Sequence, residues 1–184
     1  MFYCFLAKGF EEIEAVTTID ILRRAGIEIK TAAVNEDNSL TVCGAHNIPF
    51  ICDIHINDCK ADDSLMGVFL PGGMPGTTNL DDSERVRELI SHCADNDKYL
   101  FAICAAPSVF GHMGLLKGKK ATCYPGFESE LEGAEYTAAA FEKDGKIITG
   151  KGPGVTVDFA LCIVEELKGK EASLELKAGM QCYE

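Results

Sequence analysis

One cysteine lies where a buried strand is predicted to turn directly into a helix. The apolar residues 100–103 lead into Cys104, and a helix is predicted over 105–113. A nucleophile on such a sharp turn is lifted above the sheet, and free N–H groups at a helix N-terminus lower a cysteine pKa. The spacing therefore predicts a reactive Cys104, but a strand-end cysteine that only fills space fits it equally well.

Two glycine-rich loops follow predicted strands. Residues 71–76 read Pro-Gly-Gly-Met-Pro-Gly, and residues 151–154 read Lys-Gly-Pro-Gly. Glycines let backbone N–H groups approach a substrate oxygen, so Gly72 and Gly73 can contribute to an oxyanion hole. An ordinary turn explains both loops as well. Phosphate-binding loops are not predicted, because neither G-x-G-x-x-G nor G-x-x-x-x-G-K-[ST] occurs.

Three glutamates, Glu11, Glu12 and Glu14, stand at the predicted start of the first helix. The helix dipole favours acids there, which explains them without any function. Helical periodicity predicts that Ile13 faces inward, and on that basis Glu14 is expected near the sheet edge. A carboxyl group beside a thiolate would keep its proton, and it could then donate a hydrogen bond or move protons.

The elements that must position these residues alternate along the chain. Strands are predicted over 2–7, 27–34, 66–70, 99–103, 120–124 and 147–150, helices over 12–25, 83–93, 105–113, 155–167 and 171–177, and a hairpin within 40–52. This alternation predicts one α/β domain over residues 1–184, a sandwich with a mainly parallel sheet. Loops beyond the carboxyl ends of its strands are expected to meet at one edge.

Composition excludes several classes of protein. The 184 residues include 17 Lys+Arg and 29 Asp+Glu, for a net charge of −12, which argues against nucleic acid or an anionic membrane as a partner. No apolar run approaches the ~18 residues of a membrane span. The N-terminus lacks the layout of a signal peptide, so a cytoplasmic location is expected.

The cysteines and histidines indicate neither a metal site nor a cofactor. The nine cysteines include no C-x-x-C pair, and an odd number without an export signal favours reduced thiols. Cys4 and Cys162 are expected to be small buried hydrophobes. The four histidines have no spacing typical of a metal site, and each is expected at the surface or in packing.

Together these segments resemble the DJ-1/ThiJ/PfpI superfamily over essentially the whole chain. The resemblance is carried, in order, by residues 6–16, 68–73, 102–107, 152–154 and 158–161. It points to the branch of the parkinsonism-associated protein and bacterial YajL, often labelled as thiazole-monophosphate biosynthesis proteins. It implies a flavodoxin-like three-layer sandwich and a homodimer, with the first helix and the 40–52 excursion as candidate dimer surfaces.

The same resemblance implies roles for individual residues. Cys104 matches a nucleophile that is readily oxidised to a sulfinate, and Glu14 matches a protonated acid that hydrogen-bonds its sulfur. The backbone amides of Gly73 and Ala105, next to Gly72, match the oxyanion pocket. The activities implied are a glutathione-independent glyoxalase, a deglycase and a redox-regulated chaperone.

Two positions depart from the family pattern. Ala105 stands where the protease-like branch has a histidine, so a Cys–His dyad is missing and peptidase activity is disfavoured. Tyr124 stands before Pro125, where the human-type branch has a histidine. A phenol with a reference pKa of ~10 donates hydrogen bonds but is a poor base at neutral pH, so a slow enzyme is expected. Strand alternation predicts that the neighbouring Cys123 points away from Tyr124.

Two functions therefore remain open. In the leading prediction, Cys104 attacks a reactive 2-oxoaldehyde and Glu14 shuttles the proton, with Tyr124 as a third catalytic residue. In the alternative, the chain is a non-catalytic oxidant sensor or chaperone that works through oxidation of Cys104. The expected partners are accordingly a small aldehyde or an oxidant, besides a second copy of the chain. A purely structural dimer would leave the coincidence of Glu14, Gly73 and Cys104 unexplained.

Overall fold

The computed structural model describes residues 1–182 and contains eleven strands and six helices within them. In chain order the strands are β1 (Phe2–Ala7), β2 (Ile29–Val34), β3 (Thr41–Cys43), β4 (Pro49–Ile51), β5 (Ile54–His55), β6 (Gly67–Leu70), β7 (Tyr99–Ile103), β8 (Lys120–Ala121), β9 (Glu135–Tyr136), β10 (Phe141–Asp144) and β11 (Ile147–Gly150). The helices are α1 (Glu12–Arg24), α2 (Gly76–Asp81), α3 (Glu84–Asp95), α4 (Pro107–His112), α5 (Thr156–Lys168) and α6 (Lys170–Gly179).

A seven-stranded sheet runs through the molecule in the order β10-β11-β7-β6-β1-β2-β5. All its pairings are parallel except β10 with β11. The hairpin β3–β4 and the pair β8–β9 form separate small sheets. Because β1 is an interior strand of the sheet with layers on both faces, all six of its residues are buried, which is why its sequence is apolar throughout.

Alternate residues of β1 supply two separate hydrophobic cores. Tyr3 and Phe5 lie in the core that contains apolar side chains of α2, α3 and α4. Phe2, Cys4 and Leu6 lie in the opposite core, with apolar side chains of α1 and α5. Successive side chains of a strand point to opposite faces of the sheet. β1 therefore packs against helices on both faces. The predicted flavodoxin-like, mainly parallel three-layer sandwich is confirmed.

Most predicted elements are present, but four short ones were not predicted: helix α2 and strands β5, β9 and β10. The strands β1, β7 and β11 and the hairpin lie where they were expected, and Ser83 caps α3 by accepting a hydrogen bond from the Val86 N–H at 3.4 Å. Helix α2 is only six residues long, too short for a helical period. Strand β10 is an edge strand without a fully buried residue, so it lacks an apolar signal. Two predicted elements are shorter than expected. The strand predicted over 120–124 ends at Ala121, and the helix predicted from residue 105 begins at Pro107.

One orientation on α1 was predicted wrongly. Ile13 is 52% exposed, whereas Glu14 is fully buried. The packed stripe of α1 contains Glu14 and Ala15 together with Thr18 and Leu22. Ile13 lies outside this stripe. The side chain that faces inward is therefore that of Glu14, whereas helical periodicity had predicted Ile13.

No helix within residues 1–182 is both long enough and apolar enough to cross a membrane. The prediction that residues 1–184 form one domain remains a prediction, and its last two residues lie outside the described part of the chain.

Candidate active site

The backbone turns sharply at Cys104. This residue has a φ of 66°, a left-handed conformation that L-residues other than glycine adopt only at a cost of ~1–3 kcal/mol. Its N–H donates to the Gly150 carbonyl oxygen of β11 at 2.8 Å, and the Ala106 N–H donates to the Ile103 carbonyl oxygen at 3.1 Å. These bonds hold the elbow at the end of β7. The Cys104 side chain stands above the sheet edge, and the residue is 9% exposed.

Glu14 reaches the elbow from α1 on the other side of a glycine. Its Oε2 accepts a hydrogen bond from the Gly72 N–H at 2.8 Å. A Cβ on Gly72 would lie 2.6 Å from the Cys104 Cβ and 2.9 Å from Glu14 Oε2. Only a residue without a side chain therefore allows the thiol and the carboxyl group to come together.

Burial gives Glu14 an unusual acidity. Loss of solvent raises the pKa of Glu14 to about 7, against the hydrogen bonds with Gly72 and Cys104, which lower it. The charge of Glu11 raises it further. The other carboxyl oxygen, Oε1, is buried and has no partner of normal hydrogen-bond geometry in residues 1–182. Glu14 therefore keeps its proton to a higher pH than a solvent-exposed glutamate does. The main cause is burial, and not the neighbouring thiolate on which the sequence prediction was based.

The acidity of Cys104 differs from the prediction. Burial first, and then the charge and hydrogen bond of Glu14, raise the pKa of the Cys104 thiol, while the N–H groups of Ala105 and Gly73 lower it. The expected lowering of the Cys104 pKa was wrong, because burial and Glu14 outweigh the lowering by these two N–H groups. Protonation of Glu14 removes the repulsion and supplies a donor, so the charges of the two groups are coupled.

Two backbone N–H groups, those of Gly73 and Ala105, act on the Cys104 sulfur. Gly73 has a φ of 91°, and a Cβ there would lie 2.6 Å from the Gly9 carbonyl oxygen. A glycine is therefore required where the 71–76 loop passes the chain before α1. Two converging N–H groups can stabilise negative charge on an atom bound to that sulfur.

Tyr124 lies at the mouth of the same elbow. Its N–H donates to the Cys104 carbonyl oxygen at 2.8 Å, and its ring lies against Gly152, where a Cβ would be 3.1 Å from Cδ2. Tyr124 is 46% exposed, while Cys123 is fully buried in the core that contains Tyr3 and Phe5. The prediction that these two side chains diverge is confirmed, and the 151–154 loop lies beside the elbow.

One cluster escaped sequence reasoning. Glu11, Glu12 and His46 bring ligand-type atoms within 4.8 Å of one another, the one such group in residues 1–182. His46 lies at the tip of the β3–β4 hairpin, 34 positions from Glu12 along the chain. No local spacing could have found this group, since only packing of the hairpin against α1 brings it together.

The fold and this elbow define a class of α/β sandwich proteins with a cysteine at the sheet edge. The profile of the DJ-1/PfpI family matches residues 2–166. The chain is 34% identical to the Parkinson disease protein 7 homolog of Danio rerio, an alignment that covers 94% of this chain and 92% of that protein. The crystal structure of Drosophila melanogaster DJ-1beta superposes with a TM-score of 0.92 at 34% identity, and covers 100% of this chain and 98% of its own.

Two further relatives bear on function and length. The chain is 37% identical to Protein DJ-1 homolog B of Arabidopsis thaliana, covering 93% of this chain but only 39% of that longer protein. It is 30% identical to the glutathione-independent glyoxalase DJR-1.2 of Caenorhabditis elegans, covering 90% of this chain and 87% of the relative. The protein belongs to the DJ-1/PfpI family.

Proposed function

We propose that this protein converts 2-oxoaldehydes such as methylglyoxal into 2-hydroxy acids without glutathione, with Cys104 as the nucleophile. The observation that carries the proposal is the contact of Cys104 with Glu14 across Gly72, beside the N–H groups of Gly73 and Ala105. A relative that is 30% identical is named a glutathione-independent glyoxalase, which supports the same reaction.

The first step is addition of the Cys104 sulfur to the aldehyde carbon. A C–S bond forms, the carbonyl π electrons move to oxygen, and the proton held by Glu14 passes to that oxygen, giving a hemithioacetal and an ionised Glu14. While negative charge develops on the oxygen, the N–H groups of Gly73 and Ala105 stabilise it. This step needs Cys104 as a thiolate, which is favoured when Glu14 carries its proton.

The second step is an internal hydrogen shift. Ionised Glu14 removes the proton from the former aldehyde carbon and returns it to the neighbouring carbon, while the hydroxyl proton passes to the neighbouring oxygen. The first carbon is thereby oxidised to a thioester and the second reduced to an alcohol. Water cleaves the thioester and regenerates the thiol. A pKa of about 7 keeps both forms of Glu14 populated at neutral pH, as a shuttle requires.

Tyr124 would assist as a hydrogen-bond donor at the mouth of the site. Because a phenol is a poor base at neutral pH, the proposal assigns all proton removal to Glu14. Loss of a second general base costs ~10²–10⁴-fold in rate, so slow turnover is expected.

The test is lactate formation from methylglyoxal without glutathione, with freshly reduced protein. Wild type should form lactate, and Cys104→Ser should reduce the rate by at least about a hundredfold. Cys162→Ser is the matched control, since Cys162 is a half-buried thiol on α5 outside the elbow. Equal rates for wild type and Cys104→Ser would contradict the proposal.

The second candidate is an oxidant sensor or chaperone, also through Cys104. Two molecules of hydrogen peroxide would oxidise the sulfur in two steps, through a sulfenate to a sulfinate, and each would be reduced to water. The observation that favours it is the buried Glu14 carboxyl group, which in its protonated form can donate a hydrogen bond to a sulfinate oxygen. No lactate from wild type, together with selective gain of two oxygen atoms at Cys104, would favour this function. Deglycase activity would use the same thiol, and a reducing compartment such as the cytoplasm would maintain it.

We also propose that the protein forms a homodimer. Exposed apolar side chains lie on α1 and on the neighbouring hairpin, an arrangement typical of a contact surface rather than of scattered surface residues. We call Ile13, Val16, Ile48 and Ile51 the α1–hairpin patch, and they are 52%, 46%, 57% and 75% exposed.

A further inference from the structure

We propose that Glu11, Glu12 and His46 form a binding site for a divalent transition-metal ion of the Zn²⁺ type. The inference does not rest on the chemistry of Cys104. It starts from the side-chain atoms themselves: His46 Nδ1 lies 2.9 Å from Glu12 Oε2 and 3.6 Å from Glu11 Oε1.

These separations match those between ligands of one small ion. Zinc binds imidazole nitrogen and carboxylate oxygen at ~2.0–2.2 Å, so two ligands of a tetrahedral site lie about 3.3 Å apart. The two separations from His46 Nδ1 lie on either side of this spacing, and the three residues have ligand atoms within 4.8 Å of one another. The site would keep an open position, because three protein ligands leave room for water.

The ligands are held in place by the backbone. Glu12 Oε1 accepts hydrogen bonds from the N–H groups of His46, at 2.7 Å, and Ile48, at 3.4 Å. The Ala45 N–H donates to the Phe10 carbonyl oxygen at 2.8 Å, which fastens the hairpin tip to the start of α1. A fixed position of the ligands before binding reduces the entropy that binding must overcome.

Glycine and burial add to this fit. A Cβ on Gly44 would collide with the Glu12 carboxyl group, so only glycine lets this carboxylate lie against the hairpin. The Glu11 side chain is only 18% exposed, yet its carboxylate accepts no hydrogen bond from residues 1–182 apart from the long contact with His46. A cation would supply the charge that this partly buried group lacks.

His46 would bind the ion through Nδ1, the ring nitrogen that lies 2.9 Å from Glu12 Oε2. The positive end of the α1 dipole opposes a cation, and we expect micromolar rather than nanomolar binding.

Calorimetric titration of the reduced full-length chain with Zn²⁺ tests the site. Wild type should bind one ion per chain at this affinity, and His46→Gln should weaken binding at least about tenfold. Glu11→Gln should also weaken zinc binding, and it leaves the hydrogen bonds between Glu12 and the hairpin unchanged. His92→Gln, which removes a histidine of α3, and Cys104→Ser, which removes the elbow thiol, should both bind as wild type does.

Two results would overturn the inference. One is equal zinc affinity in wild type, His46→Gln and Glu11→Gln. The other is loss of binding in Cys104→Ser alone, which would place the ion on the thiol. Circular dichroism of each variant establishes that it is folded, so that weaker binding reports the ligands.

Discussion

At the scale of single residues, a buried carboxyl group and a thiol share the space beside one glycine. Glu14 lies between protonated and ionised at neutral pH because burial raises its pKa to about 7. Its charge is coupled to that of Cys104, so neither group can be described alone. The residue that allows this contact, Gly72, has no chemistry of its own.

Replacing Glu14 with glutamine should change how stability depends on pH. The folded pKa of about 7 lies above the ordinary 4.5, so the unfolded chain loses this proton first and wild type loses stability as pH rises between those values. A glutamine side chain does not titrate. Relative to wild type, Glu14→Gln should therefore gain about 2 kcal/mol between pH 5.5 and 8.5, measured by urea unfolding under reducing conditions. Parallel pH profiles for the two proteins would mean that Glu14 titrates normally.

Adding one methyl group at Gly72 should disrupt the site. Gly72→Ala would force its Cβ to within 2.6 Å of the Cys104 Cβ and 3.0 Å of the Ile103 carbonyl oxygen. We expect a loss of about 1–3 kcal/mol in unfolding free energy. The control is Gly154→Ala at the same sheet edge, where a new Cβ meets nothing within 4 Å. Equal unfolding free energies for the two variants would contradict the close contact.

At the scale of elements, an ion-paired histidine joins three segments near the site. His112, at the end of α4, contacts Asp81 Oδ2 through Nδ1 at 2.6 Å and Glu130 Oε2 through Nε2 at 2.9 Å. Asp81 ends α2, and Glu130 belongs to the turn Glu128–Glu130 that follows Tyr124. This histidine therefore links the helix after the elbow to the loop that carries Tyr124.

Replacing His112 with glutamine should cost stability mainly at low pH. Both carboxylates raise the pKa of His112 above 6.5, so the stabilisation is complete below pH 6.5 and is lost as pH rises through the folded pKa. We expect His112→Gln to cost ~1 kcal/mol at pH 6, and clearly less at pH 9. Chemical unfolding at the two pH values measures this difference, with His92→Gln as the control. A cost that does not change with pH would mean that packing, and not charge, holds these segments together.

At the scale of the whole molecule, the α1–hairpin patch leaves apolar side chains without partners. Two of its residues lie on α1 and two on the hairpin, whose tip is fastened to the chain before α1 by the bond from the Ala45 N–H to the Phe10 carbonyl oxygen. A second copy of the chain would remove them from water, each buried side chain contributing ~1.5–3 kcal/mol at most.

A charge in this patch should separate the proposed dimer. Ile51→Asp should raise the dimer dissociation constant at least tenfold, because association would bury an unpaired carboxylate. Ile51 is 75% exposed, so the change should leave the fold intact. Light scattering over a dilution series measures the effect, with Leu174→Asp on α6, also exposed, as the matched control. A dimer that survives Ile51→Asp, or a wild-type monomer, would rule out this surface.

The sequence alone determined most of the longer strands and helices, the mainly parallel sheet and the edge at which the loops meet. Apolar runs and helical patterns are local, and β1 and β7 were recognised from a few adjacent apolar residues. The motif around Cys104 and the loop at Gly72 and Gly73 were visible for the same reason.

Only the tertiary structure decided the chemistry of these residues. The pKa of Glu14 depends on burial by segments more than fifty positions away, such as Gly72, and periodicity had assigned its inward position to Ile13. The raised pKa of Cys104 results from the same burial. The cluster of His46 with Glu11 and Glu12 exists only because a hairpin tip packs on a helix start. Solvent exclusion and close contact are properties of packing, and no spacing along the chain encodes them.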